Sequence, residues 1–372
     1  MSAADLDLHS RFVALCQMPS ATGDERAVAD MVADELRALG VPVAEDDAAG
    51  PAQAGAGNLR CRIPGTGQGA VMFCAHLDTV PHEHPVEVVC DEGVYRSAGP
   101  SILGADNKAA VTVFMELARR WVKTPGAAAL ELVFTVAEED GLRGAHAFDV
   151  STLQAPIGYV FDHAASIGEI VTSAPTYHRL RAEFAGVASH AGLEPEAGVS
   201  ALRAAARAAS ELPQGRLDPE TTANLGRMAG GTATNIIAAS AWLDAEARGL
   251  DDDRAGAVIQ TMVDACNWAA GEEGCDVDVE VTTMFRGYRQ KRSDVAVAHA
   301  AEALQACGHE PCFVSSGGGS DANAFMDRGL ACVNLANGTA AVHTDNESVA
   351  VADLDAALRV AELIARSAGQ DG

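Results

Sequence analysis

The stretch VMFCAHLDTV, residues 71–80, constrains this chain more than any other part of it. A short apolar run of this length predicts a buried strand. Side chains two apart on a strand face the same way, so His76 and Asp78 share one space at its end. In open α/β sheets, ligands bind beyond the carboxyl ends of the strands. An imidazole beside a carboxylate is the usual way to fix a metal-binding tautomer. Taken alone, HxD reads more simply as the end of a core strand with a locally bonded Asp.

The chain repeats the arrangement. Leu130–Ala137 predicts a second buried strand and delivers Glu138 and Glu139; Ile157–Phe161 predicts a third and delivers Asp162 and His163. Between them SILGADNK leads into a helix, with Gly104 and Asp106 at its entrance, where an Asp could equally cap the first turn. Several apolar strands that each end in a metal-competent side chain are much less expected by chance than one. Upstream, apolar spacing predicts a helix over Thr22–Gly40, with Thr22 and Asp24 as cap candidates and Gly40 as its stop. A strand at Asn58–Pro64 precedes the PGTGQG turn. His82, Glu83 and His84 lie in a Pro-bounded loop without defined spacing to any partner, which reads as a solvated loop.

From Tyr177 the texture changes. Strand Tyr177–Val187, helix Val199–Leu212, strands Thr232–Ile237 and Ala241–Arg248, helix Asp252–Ala270 and strand Val277–Thr283 give a βαββαβ order. That order predicts a ferredoxin-like α+β insertion. Afterwards come a helix at Val295–Cys307, a strand at Cys312–Val314, a glycine-rich loop at Gly317–Asp321, a strand at Cys332–Leu335, His343 in a loop, and a closing helix at Leu354–Ala368. At 372 residues two domains are expected: residues 1–176 and 286–372 as one α/β domain, with 177–285 inserted. Nine scattered cysteines without a CxxC pair fit reduced thiols in a cytoplasm. The N-terminal MSAADLDLHS lacks the basic and apolar segments of a signal peptide. A net charge of −26 argues against nucleic acid and anionic membranes as partners.

His76, Asp106, Glu138, Glu139, Asp162 and His343 are oxygen and imidazole donors without a cysteine among them. Such a set suits hard and borderline divalent ions, and zinc accepts both donor types. Five ligands and a base are too many for one tetrahedral ion with an open position, so two ions fit better. Glu138 and Glu139 point in opposite directions if extended, which favours one as base and one as ligand.

AHLDTV, GADNKAA, AEEDGLRGA, the acid at Asp162 and HTDNE, in that order, resemble the motifs of the M20 metallopeptidase family, and most of all its peptidase T-like branch. GVASHAG, GGTATN, LDAEAR and GGGSDANAF extend the resemblance over essentially the whole chain. The resemblance implies a zinc-peptidase-like catalytic domain with a mixed sheet and an inserted ferredoxin-like lid that also dimerises. It implies that His76 and Asp162 bind a first ion, Glu139 and His343 a second, and Asp106 bridges both, with Asp78 orienting His76. Glu138 would be the general base. His190 would reach the partner subunit's site and stabilise the oxyanion; Asn235 and Arg248 would hold substrate, and Gly318 and Ser320 would shape the pocket. The expected protein is a cytoplasmic homodimer with two zinc ions per subunit, manganese or cobalt being able to replace them. It would cleave the N-terminal amide of a small peptide. An N-acyl or N-carbamoyl amino acid amidohydrolase, or a carboxypeptidase of the same family, is the alternative. His163, His178 and the Arg286–Arg292 cluster carry no expected role.

Overall fold

Ala70–His76 is buried along its whole length and pairs in parallel with Ala129–Thr135 on one side and Ile157–His163 on the other. A strand covered on both faces needs an unbroken apolar run, and AVMFCAH supplies one. This computed structural model describes residues 6–368, so the first half of the polar N-terminal decapeptide lies outside the described residues. Outward from the centre run Leu59–Ile63 and Val43–Glu45 on one side, both antiparallel to their inner neighbours. On the other side Ala331–Ala336 lies parallel to Ile157–His163, then Glu169–Ala174 lies antiparallel to it and carries Cys312–Ser315 in parallel. The sheet is therefore mixed, as expected.

Helices Leu8–Cys16, Arg26–Ala38, Ala105–Lys123, Val295–Ala306 and Val351–Ser367 contribute to one continuous core with these strands. At its centre Phe73 packs against Phe114, Tyr159 and Phe161 with ring centroids 5.3, 5.7 and 6.2 Å apart. The register aligns the strand ends: His76 lies opposite Thr135, and Asp162 is the penultimate residue of the neighbouring strand. Arg26–Ala38 starts later than the apolar spacing predicts, because Thr22 is turned away: its hydroxyl donates to the Asp78 carboxylate at 2.7 Å. Gly40 terminates the helix with φ +79°, as expected of a left-handed stop. A small antiparallel sheet of Val88–Asp91, Val94–Ser97, Ser348–Ala350 and Thr339–Ala340 went unforeseen; its strands are two to four residues long, too short for periodicity to register.

The second compact unit comprises Ala174–Arg289 with Gly317–Gly319. Its antiparallel sheet runs Gly215–Asp218, Thr221–Gly230, Ser240–Gly249, Thr176–Ala185, Asp276–Phe285, and helices Ala201–Glu211 and Asp252–Glu273 pack on it. Without the short edge strand this is the ferredoxin-like order. One expected strand is wrong: Thr232–Ile237 forms turns with a single bridge at Ile236, and the pairing strand is Thr221–Gly230 upstream. Its sequence, TTANLGRMAG, is mostly exposed and interrupted by a register shift between Leu225 and Arg227, so no apolar alternation marks it. Among the described residues no helix is long and apolar enough to cross a membrane.

Candidate metal centre

The carboxylate of Asp106 faces two imidazoles. Its Oδ1 lies 3.3 Å from His76 Nε2 and its Oδ2 lies 3.3 Å from His343 Nε2. The same nitrogen of each ring also faces a second acid: Asp162 Oδ1 is 3.4 Å from His76 Nε2, and Glu139 Oε1 is 3.0 Å from His343 Nε2. Donor atoms of His76, Asp106 and Glu139 lie within 4.8 Å of one another, as do those of His76, Glu138 and Asp162. Five segments deliver them. Asp106 enters from a turn rather than from a helix, since backbone geometry departs from helical at Asp106 and Asn107 within the first turn of Ala105–Lys123. It does not cap that helix with its side chain.

Hydrogen bonds hold this set in place. His76 Nδ1 lies 3.0 Å from the backbone carbonyl of Asp78, so a proton on Nδ1 leaves Nε2 free to coordinate. The Asp78 carboxylate is farther from that ring, at 3.5 Å, and its shorter bonds go elsewhere. Oδ1 accepts from the Glu138 N–H at 3.0 Å, and Oδ2 accepts from the Glu139 N–H at 3.2 Å and from Thr22. Asp78 thus ties down the turn that carries both glutamates. Asp162 accepts from Asn107 Nδ2 at 3.1 Å, and its own N–H donates to Asn334 Oδ1 at 3.0 Å. Thr22, Asn107 and Asn334 escaped sequence reasoning; only Asn107, inside GADNK, carried a motif signal.

The crowding shows in the protonation. Burial opposes charge on His76, yet Asp162, Asp106 and Asp78 lift its pKa well above the ordinary imidazole value. His343 is raised to about 10 by its hydrogen bonds to Asp106 and Glu139. Burial, then the Asp162 charge, pushes Glu138 well above the usual carboxylate range, and burial does the same to Asp162. Acids and imidazoles packed this closely satisfy one another by sharing protons, and divalent cations can take the place of those protons.

The remaining expected residues sit in two places. Ser320 is buried in the first unit, immediately before the short helix Asp321–Asp327; its N–H donates to Asn323 Oδ1 at 3.1 Å. Beside it the buried Asp321 accepts from Thr135, the residue opposite His76. His190, Asn235, Arg248 and Gly318 belong to the second unit. His190 Nδ1 accepts from the N–H groups of Gly192 and Leu193 at 3.1 Å each, which places its proton on Nε2. Asn235 is its neighbour, its carbonyl accepting from the Ala191 N–H at 3.0 Å. Arg248 pairs with Glu246 through two bonds of 3.0 and 3.2 Å and lies 4.2 Å from the Tyr177 ring, rather than pairing with the acids at 251–253. His163 binds Glu169 at 2.9 Å, and none of His82, Glu83 and His84 joins a donor cluster among the described residues.

Comparison with known proteins agrees with this architecture. Residues 175–274 match the family described as peptidase dimerisation domain, and residues 58–191 match peptidase family M28. The solved aminopeptidase PepT of Bacillus cereus is 38% identical, with 97% of this chain and 98% of that chain covered and a TM-score of 0.85. A tripeptidase of Staphylococcus aureus is 33% identical, with 98% of each chain covered and a TM-score of 0.90. A Bacillus subtilis protein titled a dinuclear metal binding peptidase from the M20 family shares the fold at 14% identity, TM-score 0.73, over 98% of each chain. The chain is a hydrolytic enzyme acting on peptide bonds. It belongs to the M20 peptidases, in their peptidase T-like group.

Proposed function

We propose that this enzyme is a two-metal aminopeptidase of the tripeptidase type, cleaving the N-terminal bond of a small peptide. The observation that carries the reading is the Asp106 carboxylate with one oxygen toward the Nε2 of each of two imidazoles, where a further acid meets the same nitrogen. His76, Asp106 and Asp162 would hold one ion, and Asp106, Glu139 and His343 the other. Two divalent ions in such a site acidify a water and polarise the scissile carbonyl. Glu138 takes the water's proton on its carboxylate and passes it to the leaving amine nitrogen. Its backbone is fixed by Asp78, so the carboxylate meets that proton from a set position.

Zinc is the proposed ion, its preference for imidazole and carboxylate matching the donor set. Nine free cysteines favour the reducing cytoplasm as the working compartment. The match at 175–274 supports a homodimer built through the second unit. In it His190, with its proton on Nε2, would serve the partner subunit's oxyanion. Asn235, Arg248, Gly318 and Ser320 would contact substrate, Arg248 arriving already braced by Glu246. A panel of di- and tripeptides run beside N-acyl and N-carbamoyl amino acids tests the substrate class: release of the N-terminal residue from tripeptides is expected. Turnover confined to the acylated compounds would overturn it. Chelation should abolish turnover and zinc restore it; full activity in a metal-free preparation would remove the two-ion reading.

A further inference from the structure

Glu347 is an acid with only 1% of its surface exposed, and the reaction outlined above does not use it. Its carboxylate is nevertheless fully engaged. Oε2 accepts from the N–H groups of Leu103 at 2.8 Å and Gly104 at 2.7 Å, and Oε1 accepts from the Asp106 N–H at 2.9 Å. The Gly104 and Asp106 amides are among those left without partners at the start of Ala105–Lys123, and Leu103 immediately precedes them. Gly104, at its N-cap with φ +72°, has no side chain to serve them. A carboxylate from more than 240 residues away does so instead.

The other end of this contact matters equally. Thr339–Ala340 pairs with Ser348–Ala350, so residues 341–347 form the loop of a hairpin, and that loop carries His343. It is braced internally: the Glu347 N–H donates to the Thr344 carbonyl at 3.1 Å and the Thr344 hydroxyl to the Ala341 carbonyl at 2.7 Å. His343 itself is half exposed and in a left-handed conformation, so its own packing does little to hold it. Glu347 is therefore the clasp between the loop bearing His343 and the turn bearing Asp106.

We propose that Glu347 is a positioning residue that sets the second ion position by docking the His343 loop onto the Asp106 turn. This rests on the two-metal reading above. Partners that orient metal ligands are typically worth 10–100-fold in metal affinity. Glu347→Gln keeps the volume but turns an NH2 group toward amide donors, so the clasp loses acceptors it cannot replace.

The test is zinc titration of the ion-free protein against a competing chelator, with thermal unfolding measured in parallel. Wild type should bind two ions. In Glu347→Gln the ion held by His343 and Glu139 should bind about 10–100-fold more weakly, and the ion held by His76 and Asp162, which shares only Asp106 with the clasp, should weaken less. Glu35→Gln removes a different buried carboxylate, bonded to Arg11 at 2.8 Å, and should lower the unfolding temperature without changing either ion. Equal, wild-type affinity for both ions in Glu347→Gln would overturn the proposal and leave Glu347 as an ordinary stabilising acid. A wild type that binds fewer than two ions would fail earlier, at the two-metal reading itself, and take the proposal with it. Should Glu347→Gln not fold, amide exchange in the ion-free wild type decides. Slow exchange at Leu103, Gly104 and Asp106 is expected, because the clasp precedes the metal; fast exchange that zinc alone slows would overturn it.

Discussion

Replacing Asp78 with Asn separates two jobs that one carboxylate could do. From sequence its expected task is orienting His76. The structure gives the imidazole a 3.0 Å bond to the Asp78 backbone carbonyl, which the substitution leaves in place, and gives the carboxylate the amides of Glu138 and Glu139. Asn retains one acceptor oxygen. If that oxygen serves Glu138, the new NH2 group can donate to the Thr22 hydroxyl but faces the Glu139 N–H donor to donor. One buried amide is then left unpaired, which costs about 1–3 kcal/mol. Against a total stability of about 5–15 kcal/mol the variant still folds. The turn carrying Glu138 and Glu139 loosens, and a misplacement of about 1 Å is worth on the order of 10² in rate. The expected result is therefore kcat down about a hundredfold, with the ion at His76 and Asp162 retained. Steady-state kinetics, metal analysis and thermal unfolding on one preparation read all three. Loss of that ion together with the rate would show that the carboxylate does orient the imidazole, and an unchanged kcat would refute the role given to the amides.

Glu138→Gln should retain both ions and lose about 10²–10⁴ in kcat, the usual worth of a general base; a near-normal rate would remove Glu138 from the reaction. Mixing a His190 variant with Glu138→Gln should restore part of the activity in mixed dimers if His190 serves the partner subunit, and no recovery at all would count against that arrangement. Acid stability should depend on Glu116, whose buried carboxylate is bonded by Arg119 at 2.5 and 2.7 Å and by Arg120 at 3.1 Å. Burial opposes its charge, but the two guanidiniums hold its pKa below the ordinary 4.5. Its contribution is thus present above that value and lost as pH falls through the lower, folded one. Glu116→Gln should cost about 1–3 kcal/mol near neutrality, less than a fully buried pair because both arginines are partly exposed. The gap to wild type should close as the pH falls below the ordinary 4.5 and through that lower, folded-state value in unfolding curves, and a constant gap would mean that packing, not charge, is what the substitution removes.

The parts of this protein that could be read from its residues are those whose physics is local. Apolar runs at 71–75 and 157–161 had to be covered strands, and a polar side chain directly after such a run has to emerge at the strand's carboxyl end, which placed His76 and Asp162 together. The strand expected over 130–137 ends at Thr135, so Glu138 and Glu139 follow from a turn rather than from the strand itself. The strand Thr221–Gly230 was missed for the converse reason: its residues are held by backbone pairing to Ser240–Gly249, and little in TTANLGRMAG needs burial. The missed site residues share another trait. Thr22, Asn107, Asn334 and Glu347 each act by offering a hydrogen bond to a segment between 55 and 244 residues away. Glu347 stood in plain view inside HTDNE, and its composition said only that it was an acid near a histidine. Whether a buried carboxylate meets a cation, a guanidinium or a row of amides is decided by which distant backbone the fold brings to it. For that reason the donor set was legible, and the clasp that holds it was not.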